Sequence, residues 1–265
     1  MAGRRTLLPV LVGLLMTLAA PSLPASHIPV LPTGVVEWQG RLAATLNTQY
    51  FDPFLEVRGR IEGPEHELRY RSITVGSYAR PHPNVKLGVF YRLQAGARHD
   101  DDWVTTEAAP GWAWQDTRGR LESVLIGDIS PRFLLPFLPG RDWVFMLKAR
   151  YEINLFDLHQ SILLRPGITY FLMRDREPLA SFSLAWGVYF PLSFGTTVIY
   201  EHAPYLEALV HLGPFVMLEA TASLKTVTWS PSQDLKDSGE SYAGAYPMRY
   251  QPLVFGVGIV LSYPG

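Results

Sequence analysis

A chain of 265 residues that is 48% hydrophobic and 18% charged, with a mean hydropathy of +0.07, is too polar for a bundle of membrane-spanning helices and too apolar for a disordered segment. The net charge of −1 gives no electrostatic reason to expect nucleic acid as a partner, and the absence of cysteine excludes a disulfide framework, thiolate metal ligation and thiol catalysis. The 22 glycines, 22 prolines, 7 tryptophans, 13 tyrosines and 13 phenylalanines point instead to strands and turns, because aromatic side chains suit pleated surfaces and Gly and Pro punctuate them.

In chain order, Arg4 and Arg5 precede an uncharged run from Thr6 to Ala20 and a small-residue exit through Ser22 and Ala25. This is the charged, apolar, small-residue sequence of a secretory signal, so residues 1–25 are expected to be removed on export from a bacterial cytoplasm. Residues 26–265 then form one domain, since no composition shift or Ser/Gly-rich linker divides them.

From Val35 onward the period is two. Glu37, Gln39, Arg41 and Thr45 alternate with Val36, Trp38, Leu42 and Leu46. Leu55–Glu62, Val85–Arg98, Trp143–Asn154, Val216–Lys225 and Leu253–Tyr263 repeat the pattern with one polar and one apolar face. Weaker runs lie at Glu67–Ala79, Trp112–Gly119, Arg120–Ile129, Gln160–Met173, Leu179–Phe190 and Thr196–Leu212. About twelve strands are expected, with ten as the alternative. Two segments fit less well. Leu179–Tyr200 carries no charge over a length that would let a helix span a membrane, although Gly187, Pro191 and Gly195 favour two strands and a turn. Ser130–Arg141 is apolar without a period.

Alternation alone does not say which face is wet. The tryptophans and tyrosines near predicted strand ends (Trp38, Trp143, Tyr263), with aliphatic residues between them, match the aromatic girdles of a membrane barrel. Four lysines stand against nineteen arginines, a poor match to an ordinary solvated surface. With its signal segment, its alternating strands and a final strand from Pro252 to Tyr263 that is hydrophobic at every second place, the sequence resembles the bacterial outer-membrane β-barrels. The resemblance implies an all-β, transmembrane, antiparallel up-and-down barrel in the cell outer membrane, with lipids and the barrel-insertion machinery as partners. In that family the last strand usually ends on an aromatic residue, whereas here Pro264 and Gly265 follow Tyr263. Size and arginine-bearing strands are also similar, more loosely, to narrow twelve-stranded channels for acidic oligosaccharides. With both termini periplasmic and an even strand count, the connection Ser230–Pro247 is expected on the outside.

On the predicted inner face, Arg41, Arg58, Arg60, Arg69, Arg71, Lys86, Arg92, Lys148 and Arg150 are the candidate lumen-lining and solute-binding residues, with Arg120, Arg165 and Lys225 on the same face. Arg58, Arg60, Arg69 and Arg71 fall on consecutive strands, so their guanidinium forks are able to form a ladder for carboxylate or phosphate groups. The competing reading is that Glu37, Glu56, Glu67, Glu122, Asp128, Glu152 and Glu219 neutralise these cations and the lumen is simply filled.

The expected function is a passive channel favouring small anionic solutes. The alternatives are a closed structural or binding barrel, a soluble periplasmic lipid-binding barrel and an outer-membrane lipid hydrolase. Catalysis is not expected: His159 and Ser161 share a strand face and His202 and His211 lie later, but no motif gathers nucleophile, base and orienting group. No cofactor or metal is expected, since His99–Asp102 lacks the spacing of a calcium loop and reads as a solvated turn.

Overall fold

Alternation commits each strand to two unlike faces, and a sheet that closes on itself gives each face its own surroundings without leaving an open edge. The computed structural model describes residues 34–62, 67–96, 103–105, 112–114, 120–139, 142–175, 177–193, 199–229 and 248–264. The signal segment, His99–Asp102 and Ser230–Pro247 lie outside them. All regular structure among the described residues is β: β1 (Val36–Asn47), β2 (Phe51–Glu62), β3 (Glu67–His82), β4 (Val85–Ala95), β5 (Trp103–Thr105), β6 (Trp112–Trp114), β7 (Leu121–Leu134), β8 (Trp143–Asn154), β9 (Gln160–Arg174), β10 (Glu177–Pro191), β11 (Glu201–His211), β12 (Val216–Leu224), β13 (Thr226–Trp229), β14 (Met248–Tyr250) and β15 (Leu253–Pro264).

Neighbouring strands pair antiparallel around a ring β1-β2-β3-β4-β7-β8-β9-β10-β11-β12-β15, and β15 returns to β1. The all-β up-and-down barrel expected from the alternation is therefore the fold. Its ring has eleven staves, between the two strand counts anticipated. The short β5–β6 hairpin stands apart as a second sheet, while β13 and β14 extend the wall beyond a break at Lys225. Leu179–Pro191 belongs to strand β10, not to a helix, and the aperiodic Ser130–Leu134 completes β7 before a turn.

An odd number of staves forces one parallel contact. That contact is the closure, where β1 and β15 run in the same direction with Val36 opposite Leu253 and Asn47 opposite Pro264. Val36 and Pro264 consequently lie at opposite ends of the barrel, which corrects the expectation that both termini share one end. The two ends also differ in their connections. Residues 48–50, 83–84, 135–142, 175–176 and 212–215 join strands at one end, while 63–66, 96–120, 155–159, 192–200 and 225–252 join them at the other.

Apolar side chains point outward over nearly every stave. Val89 is 72% exposed, Leu206 56% and Val257 65%, whereas Glu37, Glu122 and Asp52 on the opposite face are almost completely buried. Aromatic side chains mark both margins of this apolar wall: Trp38 packs on Phe255 (5.4 Å between ring centroids) near the long connections, and Trp143 on Tyr170 (4.9 Å) and Phe215 on Tyr263 (5.7 Å) near the short ones.

The parallel seam is directly testable because the chain has no cysteine of its own. Ala44 and Leu261 are register partners on the outer face, so the double variant Ala44→Cys/Leu261→Cys should form an intramolecular disulfide on oxidation, read as altered migration of the folded barrel in a detergent gel. An antiparallel closure would leave this pair unlinked.

Candidate functional site: the lumen

The inner faces of the staves enclose a cavity of about 470 Å³ lined by eight cationic side chains and six carboxylates. Arg41, Arg58, Arg60, Arg92, Lys148 and Arg150 of the expected set are among them. Three others are not. Lys86 sits toward the short-turn end, 3.9 Å from Asp52 and over the ring of Tyr78. The side chain of Arg69 lies outside the described residues. Arg71 is displaced by a register shift between Arg60 and Ile61: it pairs with Gly59 and takes the strand face of Ile73 and Val75, so the four-arginine ladder does not form.

The cations are matched by carboxylates. Arg41 on β1 donates from Nε to Glu56 on β2 (2.6 Å) and from Nη1 to Glu219 on β12. Glu56 also receives Arg58 at 3.1 Å. Glu37 is paired with Arg60 at 3.5 Å and accepts a hydrogen bond from the Tyr250 hydroxyl. Opposite them runs a second chain of charge: Arg92 grips Glu152 with two guanidinium nitrogens, Arg150 lies 3.6 Å from Glu152 and 3.1 Å from Asp128, and Lys148 reaches Asp128 at 3.0 Å. Lys225 is paired with Glu201 at 2.7 Å. Glu122, behind the cavity wall, accepts from Gln94 and Asn154 and faces Arg120 at 3.5 Å. Charge-assisted bonds of this kind are the strong ones, and in a partly desolvated space they fix side chains that would swing freely in water.

Glycines make the pairing sterically possible. Arg41, Gly258 and Glu219 form one register row across the seam, and a side chain at 258 would come within 3.1 Å of the Arg41 carbonyl oxygen. Arg41 therefore reaches Glu219 over a strand that presents no side chain there.

One lumen wall is apolar, which the alternation did not reveal. Phe54, Tyr78 and Phe90 meet edge to face at 4.8 to 5.9 Å, and Phe90 packs with Val124 and Ile126. A β-carbon at Gly76 or Gly88 would collide with the Phe90 ring, at 2.6 and 2.4 Å, so those two glycines create its berth. The signal in the sequence was Gly88, two residues before Phe90 on the same pleat face, while Gly76 is the register partner of Phe90 on β3.

Among the described residues lining the cavity, one cation and one carboxylate have no ion pair: Arg165 on β9 and Glu207 on β11. Both touch Tyr205, Arg165 over its ring at 4.9 Å from the centroid and Glu207 as acceptor from its hydroxyl at 3.3 Å. Glu207 escaped the sequence reading because β11 has no clean alternation; its inner row is Glu201, Ala203, Tyr205, Glu207 and Leu209.

Of the residues weighed for catalysis, His159 and Ser161 both line the cavity, while His202 stacks on Trp186 on the outer face at 5.9 Å. His159 is held by Asp157 at 3.4 Å in the β8–β9 connection. Among the described residues, no group of three or more His, Asp or Glu side chains is arranged to hold a metal ion. No family model matches the chain, and no curated protein matches its sequence.

Pairing gives a sharp expectation for Arg41. Replacing it by Gln strands Glu219 and leaves Glu56 with Arg58 alone, at a cost of about 3–5 kcal/mol, the usual range for a broken buried pair. The added changes Glu56→Gln and Glu219→Gln should recover most of that loss, as measured by urea unfolding of the refolded protein.

Proposed function

We propose that this chain is an outer-membrane β-barrel whose lumen admits small polar solutes by passive diffusion, with a modest preference for anions. The observation that carries the reading is the inverted distribution of polarity. A water-soluble barrel presents charge outward and fills its interior with apolar side chains, whereas here Val89, Leu206 and Val257 face out and Glu37, Glu56 and Glu152 face in. Lipid is the surrounding in which that arrangement is stable, because the closed ladder satisfies the backbone and the aliphatic wall replaces lipid–water contact. Flanking aromatic residues suit the two headgroup levels.

Outer-membrane barrels have short periplasmic turns and longer outward connections. By that rule the end with 83–84, 175–176 and 212–215 faces the periplasm and the end with 225–252 faces outward. Export through the signal read in residues 1–25 and assembly by the insertion machinery belong to the same proposal.

Anion preference rests on one wall. Arg92, Lys148, Arg150 and Arg165 on β4, β8 and β9 share only Asp128 and Glu152, a local excess of positive charge. Elsewhere four cations face five carboxylates, so selectivity should be mild, since paired charges project little field into a pore. A second reading, a closed structural barrel, is favoured by the aromatic cluster around Phe90 and by the density of ion pairs.

Single-channel recording of the refolded protein in a planar bilayer separates them. Small discrete conductance steps are expected, with a reversal potential in a salt gradient displaced modestly toward the anion value. A silent bilayer with a correctly folded barrel would establish the closed reading, and recovery of the protein as a soluble periplasmic monomer would end both.

A further inference from the structure

Strand β10 presents a row of small residues on its inner face, Ser181, Ser183, Ala185 and Gly187, of which Gly187 lines the cavity, between two strands that carry larger ones. On one side stands Arg165 of β9. On the other, Tyr205 is the register partner of Ala185 and Glu207 that of Ser183. The result is a shallow trough on the cavity wall in which a cation, carried over Gly187, and a carboxylate flank the Tyr205 side chain. A β-carbon at Gly187 would lie in ordinary contact with Arg165 Nε, 3.5 Å away, so the Arg165 side chain passes over this position on its way to Tyr205.

The charges of the two walls are unsatisfied in complementary ways. Arg165 Nε is buried without a hydrogen-bond partner, and the guanidinium has a π-face but no carboxylate. Its register partner on β8 is Lys148, another cation, already turned to Asp128 at 3.0 Å. Like charges opposite one another on adjacent strands repel, and an oxyanion placed against Arg165 would relieve that repulsion. Glu207, for its part, has one neutral donor, the Tyr205 hydroxyl. Each of the remaining lining cations and carboxylates has an opposite charge within 4.0 Å, and these two do not, so they have capacity for a ligand.

We propose that this trough is a binding site for a zwitterion, a small molecule with an oxyanion at one end and an ammonium group at the other, as in free amino acids and short peptides. The oxyanion docks on the guanidinium of Arg165, whose fork matches carboxylate geometry, and the ammonium group docks on Glu207. The Tyr205 ring lies between them, and the backbone of the ligand lies along it. The proposal rests on the reading of a water-filled lumen but not on passage through it.

Titration calorimetry on the full refolded protein in an uncharged detergent tests it with three probes: glycylglycine, the anion N-acetylglycine and the cation glycinamide. Saturable binding of glycylglycine is expected, about tenfold or more tighter than either singly charged analogue, in keeping with loss of one hydrogen-bonded charge contact. Arg165→Gln and Glu207→Gln should each abolish that preference. Neither removes a partner from an ion pair, so both variants should fold normally. Gly187→Val, which fills the trough without changing charge, should weaken glycylglycine binding as well. Equal binding of glycylglycine and N-acetylglycine would overturn the proposal, as would absence of saturable heat or indifference to all three variants. A silent bilayer with this binding intact would defeat the transport reading and leave the site standing; conductance without zwitterion preference would defeat the site alone.

Discussion

The Arg41 guanidinium, held between Glu56 and Glu219, is the interaction on which the closed form depends most. It ties β2, β1 and β12 together across the one parallel contact in the ring, and it does so over Gly258 of β15. Parallel pairing is slightly less stable per residue than antiparallel, so the seam is where added cross-strand bonding is worth most. The same bonds settle the electrostatics of the interior. A carboxylate as buried as Glu219 is tolerable because a cation sits on it, and the cation is in turn held rigid.

From that constraint the character of the lumen follows. Charges that line it are largely committed to one another, and the potential inside varies from wall to wall more than its sum suggests. The β4–β8–β9 side carries the cationic surplus, the side of Glu207 and Glu219 is acidic, and the Phe54, Tyr78 and Phe90 rings narrow the space from a third direction. Under the proposed channel function, a solute entering such a space would meet local fields and a shaped surface, and discrimination would rest on the arrangement of charge within the solute.

How much of this was legible in the sequence depends on how local each feature is. The faces of β1, β4, β8, β12 and β15 follow from period two alone, since a strand that buries one face cannot slip by a residue without inverting it. Arg71 was misplaced for the same reason: the irregularity opposite Arg60 and Ile61 inverts the phase of the residues beyond it, and nothing in the composition of that stretch announces the shift. The parallel closure and the odd stave count are properties of the whole ring. The pairing of Arg41 with Glu219 joins residues far apart in the chain, so the inner residues were identifiable while their partners were not. Phe90 was overlooked because an aromatic side chain on a polar face breaks the rule that located the face.

The central claim is that the apolar face meets lipid and the charged face meets the lumen. Spin labels placed singly along β12 from Val216 to Leu224, in protein reconstituted into bilayers, test it most directly, the absence of native cysteine leaving each label unique. The account predicts a period of two in accessibility, with labels at Leu218, Ala220, Ala222 and Leu224 relaxed by oxygen dissolved in the lipid and shielded from a water-soluble nickel chelate, and labels at Glu219, Thr221 and Ser223 shielded from lipid oxygen. Chelate access at the Leu218 series, or no alternation at all, would contradict it.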